Sequence, residues 1–320
     1  MSRRYGNDYL LALAKESTYG TKSADYSSTT LDAVLPCKVT VSEDTNPIQV
    51  TRKTGTLQEI SNDYLAGYKS ATVTIEDGLG VGASLATNPY KILFQGFFSD
   101  TATPYRTPDV GTTPFSYTGY QIAGTDNNHD DMTSCVFESL SISGSSGEKI
   151  AFSATLRSKM IEREESGALT PESPTQPDIT PLTFCNASMS TWLGTVADKP
   201  FNSFNLQLSN TFADDKVTYQ NNCTKQLEVL TKQTGTLDIE WNYDSSTDST
   251  AYDNVVGTTV ATVIKLEDSA GTSYYTITVY GMVMKYDRPD PDNGIFTGTA
   301  NIKLLDSGSN MVTIATTYAS

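Results

Sequence analysis

The chain has 320 residues, with 22 Lys and Arg against 37 Asp and Glu for a formal net charge of −15. That length holds two ordinary domains, each with its own core. A composition only 18% charged but with 18 Tyr and 11 Phe is that of packed β-structure and excludes a disordered chain. No Lys/Arg cluster stands out to neutralise phosphates, so a protein that grips nucleic acid is excluded; the acidity is shared by both halves and serves solubility or a surface that a polyanion passes without sticking. The longest apolar runs, such as Leu10–Ala14, are too short to span a bilayer or to form a secretory h-region, so the chain reads as soluble and made in the cytoplasm.

The chain opens with DYLLALAKESTYGT (8–21): an apolar run, an acid, a Thr-Tyr-Gly turn and a Thr. PCKVTVSE (36–43) alternates like a half-buried strand, and PIQVTR (47–52) follows. A polar stretch, KTGTLQEISNDYLAGYK (53–69), interrupts the strands, and SATVTIED (70–77) resumes them with Ala71, Val73 and Ile75 on one face. NPYKILFQGFF (88–98) sets Tyr90, Leu93, Phe94 and Phe97 at helical spacing, with Asn88 as cap and Pro89 at the first helical position. Strands follow at 114–123, 134–143 and 148–158, the last two joined as a hairpin through GSSG (144–147).

The second half repeats this order. SFNLQLSN (203–210) answers the first strand, and a polar excursion, TFADDKVTYQNNCTKQ (211–226), follows it. GTLDIEWNY (235–243) answers SATVTIED, and DSTAYDNVVG (248–257) answers the helix. Strands at 260–268, 274–287 and 294–306 close the unit, the last pair joined through RPDPDN (288–293). Between the halves, GALTPESPTQPDITP (167–181) holds four prolines and reads as an extended linker. The expected division is residues 1–166 for an N-terminal arm and a first β domain, 167–181 for the linker, and 182–320 for a second β domain. Each unit of about seven strands and one short helix reads as a β-sandwich or partly closed barrel, so the fold class is mainly β.

Sites for chemistry are poor. Cys37, Cys135, Cys185 and Cys223 lack metal-ligand or disulfide spacing and are expected to be buried thiols. The single histidine, His129, sits in DNNHDD (126–131), read as a solvated loop with no nucleophile elbow to serve. DRPDPDNG (287–294) is too proline-rich for an EF-type loop, and GLGVGA (78–83) lacks the strand–loop–helix context of a phosphate site and reads as a flexible turn. Glu240 beside Trp241 is the kind of pair a glycosidase uses, but alternation puts Glu240 on the face opposite Ile239 and Trp241. No cofactor, metal or catalytic residue is expected.

The opening DYLLALAKESTYGT, with the order strand, long polar loop, strand, helix, strand, long hairpin, resembles the major tail tube proteins of siphovirus-like bacteriophages, and the doubled order resembles those with two tandem tube domains. The resemblance implies a non-enzymatic virion protein, assembled in the host cytoplasm into the tail. Sheets would join neighbouring subunits into rings, and rings would stack into a tube whose negatively charged lumen passes DNA without specific binding. Three such chains would close a ring with sixfold-like geometry. Implied partners are further copies of the chain, a tape measure protein and tail terminator or distal tail proteins; no membrane is involved. Glu138, Asp238 and Glu240 are the candidate lumen acids. Thr54, Gln58, Asp63, Tyr64 and Tyr68 in the first excursion, and Asp214, Asp215 and Tyr219 in the second, are the candidate inter-ring contacts, because excursions this long are not tight turns. Alternative readings are a distal tail or other tail-ring protein and, in a different class, a carbohydrate-binding β-sandwich or glycosidase.

Overall fold

The computed structural model describes residues 9–23, 32–44, 48–49, 64–65, 70–109, 111–123, 129–163, 178–196, 199–213, 230–242, 259–287, 297–306 and 310–318. In the first half the strands are β1 (Tyr9–Lys15), β2 (Ala33–Pro36), β3 (Lys38–Asp44), β4 (Ile48–Gln49), β5 (Tyr64–Leu65), β6 (Ser70–Gly78) and β7 (Gly80–Val81). Helix α1 (Lys91–Phe98), β8 (Tyr105–Arg106), β9 (Tyr117–Ala123), β10 (His129–Ser145), β11 (Ala151–Ser158) and β12 (Met160–Arg163) follow. The second half holds β13 (Thr180–Pro181), a 3-10 turn, β14 (Ala187–Trp192), β15 (Thr195–Val196), β16 (Phe201–Phe212), β17 (Leu230–Asn242), β18 (Val260–Glu267), β19 (Tyr274–Asp287), β20 (Thr297–Leu304) and β21 (Val312–Thr317). The chain is mainly β, as the composition requires.

All pairs are antiparallel, and the two halves use one scheme. In the first, β3 pairs with β6, β6 with β11 and β11 with the second part of β10. The first part of β10 turns out of that sheet to pair with β9 on one side and β12 on the other, and β9 continues to β1 and β2. In the second half β16, β17, β20 and the end of β19 form the same four-stranded run. The start of β19 pairs with β18 and β21, and β18 continues to β14 and β15. The runs meet at the pair β10–β16, Ser139↔Ser209 through Ser145↔Ser203, giving one eight-stranded sheet, β3-β6-β11-β10-β16-β17-β20-β19. Even the irregularities coincide. β10 carries a bulge between Phe137 and Ser139, and β19 one between Val283 and Lys285, each where the strand faces the same row of its own half.

Alternation explains the faces. Val73 and Ile75 on β6, Phe204, Leu206 and Leu208 on β16, Leu237, Ile239 and Trp241 on β17, and Ala300 and Ile302 on β20 are buried on one side. The apolar cluster runs unbroken through both halves, so they share a core rather than keeping one each. β1 is buried on both faces: Leu11 and Leu13 enter that cluster, while Ala12 and Ala14 pack with Tyr120 and the half-buried Val34.

Helix α1 lies at the join of the halves. Its Phe94 stacks on Tyr105 and meets Tyr275 of β19 edge-on, with ring centroids 5.2 Å apart. Asn88, buried, donates from Nδ2 to the hydroxyls of Tyr275 (2.7 Å) and Tyr318 (2.9 Å), and Tyr275 donates to the carbonyl of Gly80 (3.0 Å). Burial holds the Tyr275 phenol well above its ordinary range. The helix begins at Lys91, later than the sequence suggests. Asn88 Oδ1 instead accepts from the amide of Tyr90 (3.1 Å), closing the turn that precedes the helix. Gly96 is required by close approach, since a Cβ there would stand 2.3 Å from the Phe137 ring.

Several sequence expectations need correction. GLGVGA is no loose turn: Leu79 and Val81 are buried, Gly80–Val81 pairs with Thr180–Pro181, and Tyr90 donates to Gly78 O. The last two residues of the Pro-rich stretch are therefore fixed by that pairing. His129–Asp131 open strand β10 instead of lying in a loop, and Asp131 is fully buried and ion-paired with Lys22. Cys37 and Cys135 are buried thiols, but Cys185 is exposed. The second helix candidate, 248–257, and the segment 288–296 lie outside the described residues.

Candidate assembly surface

The face of the eight-stranded sheet opposite the core is polar apart from Ala151 and the exposed Met284. It presents Thr40 and Ser42 on β3, Thr72 and Thr74 on β6, Ser153 and Thr155 on β11, and Ser139, Ser141 and Ser143 on β10. Beyond the seam come Asn205 and Gln207 on β16, Thr236 on β17, and Thr299 and Asn301 on β20. These short hydroxyl and amide side chains bear the sparse charges. Lys38 pairs with Glu76 (2.5 Å), Arg157 Nε with Glu138 (2.7 Å), and Lys285 with Asp287 (2.5 Å). Asp238 accepts from Asn301 Nδ2 (2.6 Å), Glu240 is half-exposed, and Lys303 is exposed. Acids thus barely outnumber bases on the face, and most basic groups are already engaged. A shallow open depression along it is lined by Ser141, Ser143, Asn205, Asp238, Glu240 and Asp287.

All three candidate lumen acids belong to this sheet. Asp238 and Glu240 alternate with the buried Leu237, Ile239 and Trp241, and Glu138 is the bulge residue of β10, held to Arg157 over the polar face. Of the candidate inter-ring contacts, Tyr64 lies on β5, whose partner is β4. Thr54, Gln58, Asp63, Tyr68, Asp214, Asp215 and Tyr219 lie outside the described residues. Trp241 is fully buried, with its ring centroid 4.4 Å from that of Trp192. It is unavailable as a platform for a sugar, which removes the feature that favoured a glycosidase. Among the described residues no group of three or more His, Cys, Asp or Glu could hold a metal ion, and no helix is long and apolar enough to cross a membrane.

The opening string has a structural role that spacing alone did not reveal. Glu16, buried at the end of β1, accepts from the amide of Ser134 (2.8 Å) and the hydroxyl of Thr118 (3.1 Å). Its other oxygen accepts from the Gly20 amide (3.3 Å). Ser134 adopts φ 58°, a left-handed conformation, in the irregular stretch between Met132 and Cys135 of β10. The turn Ser17–Thr21 closes with Thr21 N donating to Thr18 O (3.0 Å), with Gly20 at φ 82°. The acid after the apolar run therefore pins strands β1, β9 and β10 together. Its signal in the sequence was a lone carboxylate between an apolar strand and a Gly turn.

The sheet ends on two edges. Among the described residues no strand pairs with the outer edge of β3 or with that of β19 beyond Gly281. A family model described as phage tail tube protein matches residues 6–313. No curated protein matches the chain.

Proposed function

The chain belongs to the phage tail tube protein family, a structural component of the virion tail, and on that premise we propose that it is the major tube subunit, building stacked rings around a lumen for genome passage. The observation that carries this is the eight-stranded sheet with one apolar face, one polar face and two edges without a described partner. An unpaired edge is a template for another strand, and closed rings need each edge met by the next subunit. The proposed units are residues 1–166 and 182–320 about the segment 167–181, each giving four strands to the wall. Three chains would supply twenty-four. At about 4.8 Å between strands, tilted by roughly 35–45° as in other barrels, they enclose a backbone wall on the order of 45–50 Å across. That opening admits a nucleic-acid duplex.

The polar face would line this lumen, with Glu138, Asp238 and Glu240 among its acids. Its surplus of negative charge is small. The absence of sticking rests as much on short hydroxyl side chains and on basic groups held by neighbouring acids, which leaves few cations to form contacts with phosphates. Stacking would use the excursions 53–69 and 211–226; the terminal segments 5–30 and 309–320 are less free for it, since Tyr9–Lys15 and Val312–Thr317 are strands built into the subunit's own sheets. The partners would be further copies of the chain, a tape measure protein, and terminator or distal tail proteins, with assembly in the host cytoplasm. The test is an averaged cryo-microscopy map of assemblies grown from the purified protein. Threefold tubes with β10 and β17 on the inner wall are expected. Six chains per ring would refute the trimer, and a strongly basic inner wall would refute the passage mechanism. A protein present at one ring per tail would instead be a distal ring component.

A further inference from the structure

The chain contains its own template for the joint between copies. Two rows cross the sheet in equivalent places: Val41–Val73–Leu156–Phe137 in the first half and Leu206–Leu237–Ile302–Val283 in the second. Beyond each row comes the bulge, Glu138 in one half and Met284 in the other, and then Ser139 against Thr155 and Lys285 against Asn301. Strand β3 is thereby equivalent to β16, and the end of β10 to the end of β19, residue by residue. Within the chain, the end of β10 pairs with β16. Their equivalents, the end of β19 and β3, are the two edges without a described partner.

We propose that neighbouring copies of this chain join edge to edge in the register of the internal seam, with Lys285–Asp287 of one copy antiparallel to Ser42–Asp44 of the next. This rests on the ring reading above and fixes which strands meet and where. Carrying the pairs Ser139↔Ser209, Leu140↔Leu208 and Ser141↔Gln207 across the equivalence sets Lys285 opposite Asp44, Tyr286 opposite Glu43, and Asp287 opposite Ser42. The charges agree with this placement, a cation of one copy meeting an anion of the next. The internal seam has neutral serines and a glutamine at the matching polar-face positions. The difference has a physical reason. The internal joint forms at the high effective concentration of one chain and needs no selectivity. A joint between copies must reject wrong registers, which opposite charges across a strand pair do. Met284, the bulge residue beside this edge, is 59% exposed and lies over the polar face near Asn301 and Lys303, as its counterpart Glu138 lies over it near Arg157.

The experiment places cysteines at Lys285→Cys and Asp44→Cys in a Cys185→Ser, Cys223→Ser background and oxidises assembled tubes mildly. Disulfide-linked multimers that stop at three chains are expected. The offset pair Lys285→Cys with Thr40→Cys, four residues out of register, should stay monomeric on a non-reducing gel. A second measurement needs no substitution. Carbodiimide treatment of tubes assembled from mixed light and heavy isotope subunits should couple Lys285 to Asp44 or Glu43 in peptides of mixed label. Tubes that form but give only offset cross-links, or no mixed-label peptide, overturn this register while leaving the tube assignment standing. A wild-type protein that forms no ring or tube overturns both.

Discussion

Replacing Tyr275 with Phe tests whether the two halves fold as one body. The Tyr275 hydroxyl donates to Gly80 O and accepts from Asn88 Nδ2, and both partners lie in the first half while the tyrosine lies on β19 of the second. The substitution keeps the ring against Phe94 and deletes only the oxygen. Asn88 retains Tyr318 as acceptor at 2.9 Å, so the main loss is the donation to a buried carbonyl. A lost hydrogen bond plus the desolvation of the group left short amounts to roughly 2–3 kcal/mol. With an unfolding entropy of about 2.1 cal/mol/K per residue, a chain of this length should drop in Tm by roughly 3–5 °C. Differential scanning calorimetry of the soluble subunit reads this directly. One transition, shifted as a whole, is expected, because the network and the unbroken apolar cluster bind the halves into one unit. A shift below about 1 °C, or two transitions of which only one moves, would refute the reasoning.

Two further outcomes follow from the core. Gly96→Ala gains intrinsic helix propensity yet drives a methyl to 2.3 Å from the Phe137 ring; overpacking should win, with a net loss of about 1–3 kcal/mol in urea unfolding, and a stabilised variant would show that the ring yields freely. Alkaline pH should also weaken the fold. Burial pushes the thiols of Cys37 and Cys135 from 9.0 up to about 12, and burial with nearby Tyr318 and Asp100 pushes Tyr105 from 10.0 to about 12. Each folded-state value is raised, so the stabilisation is complete below pH 9 for the thiols and is lost as pH climbs towards 12. Urea midpoints measured from about pH 8 to about pH 11 should fall, less steeply in Cys135→Ala, whereas a flat profile would contradict the burial of these groups.

Strands with strict alternation, such as SATVTIED and GTLDIEWNY, were legible in the sequence because one face of each meets the core and the other meets solvent. The matching order of the two halves was legible for the same reason. β1 was not, since burial on both faces erases the period of two and leaves only an apolar run. The 17-residue span of β10 was visible only in part, because bulge residues shift the alternation and Asp131 and Ser134 are buried polar groups whose partners lie far away in sequence. Glu240 could be assigned its face from Ile239 and Trp241. Glu138 could not, because a bulge residue answers to neither face until the register is known. The shared core was invisible as well, since no local pattern reports that a helix in one half will seat Phe94 against a tyrosine 181 residues later.

The paired bulges at Glu138 and Met284 carry a geometric consequence. A bulge bends its strand and sharpens the local twist, and these two recur after four strands, at equivalent positions, with the same neighbours on the folded side. A wall bent equally at equal intervals has constant curvature. A sheet of constant curvature meets itself after a fixed number of units, while one bent unevenly spirals past its start. In the proposed wall the bend would be set inside each half by strand β10 or β19 crossing from one sheet to the other, and the joints between units would have only to preserve it. Deleting Met284 would straighten one bend in two, and the wall would then open into a strip whose arcs alternate between curved and flat.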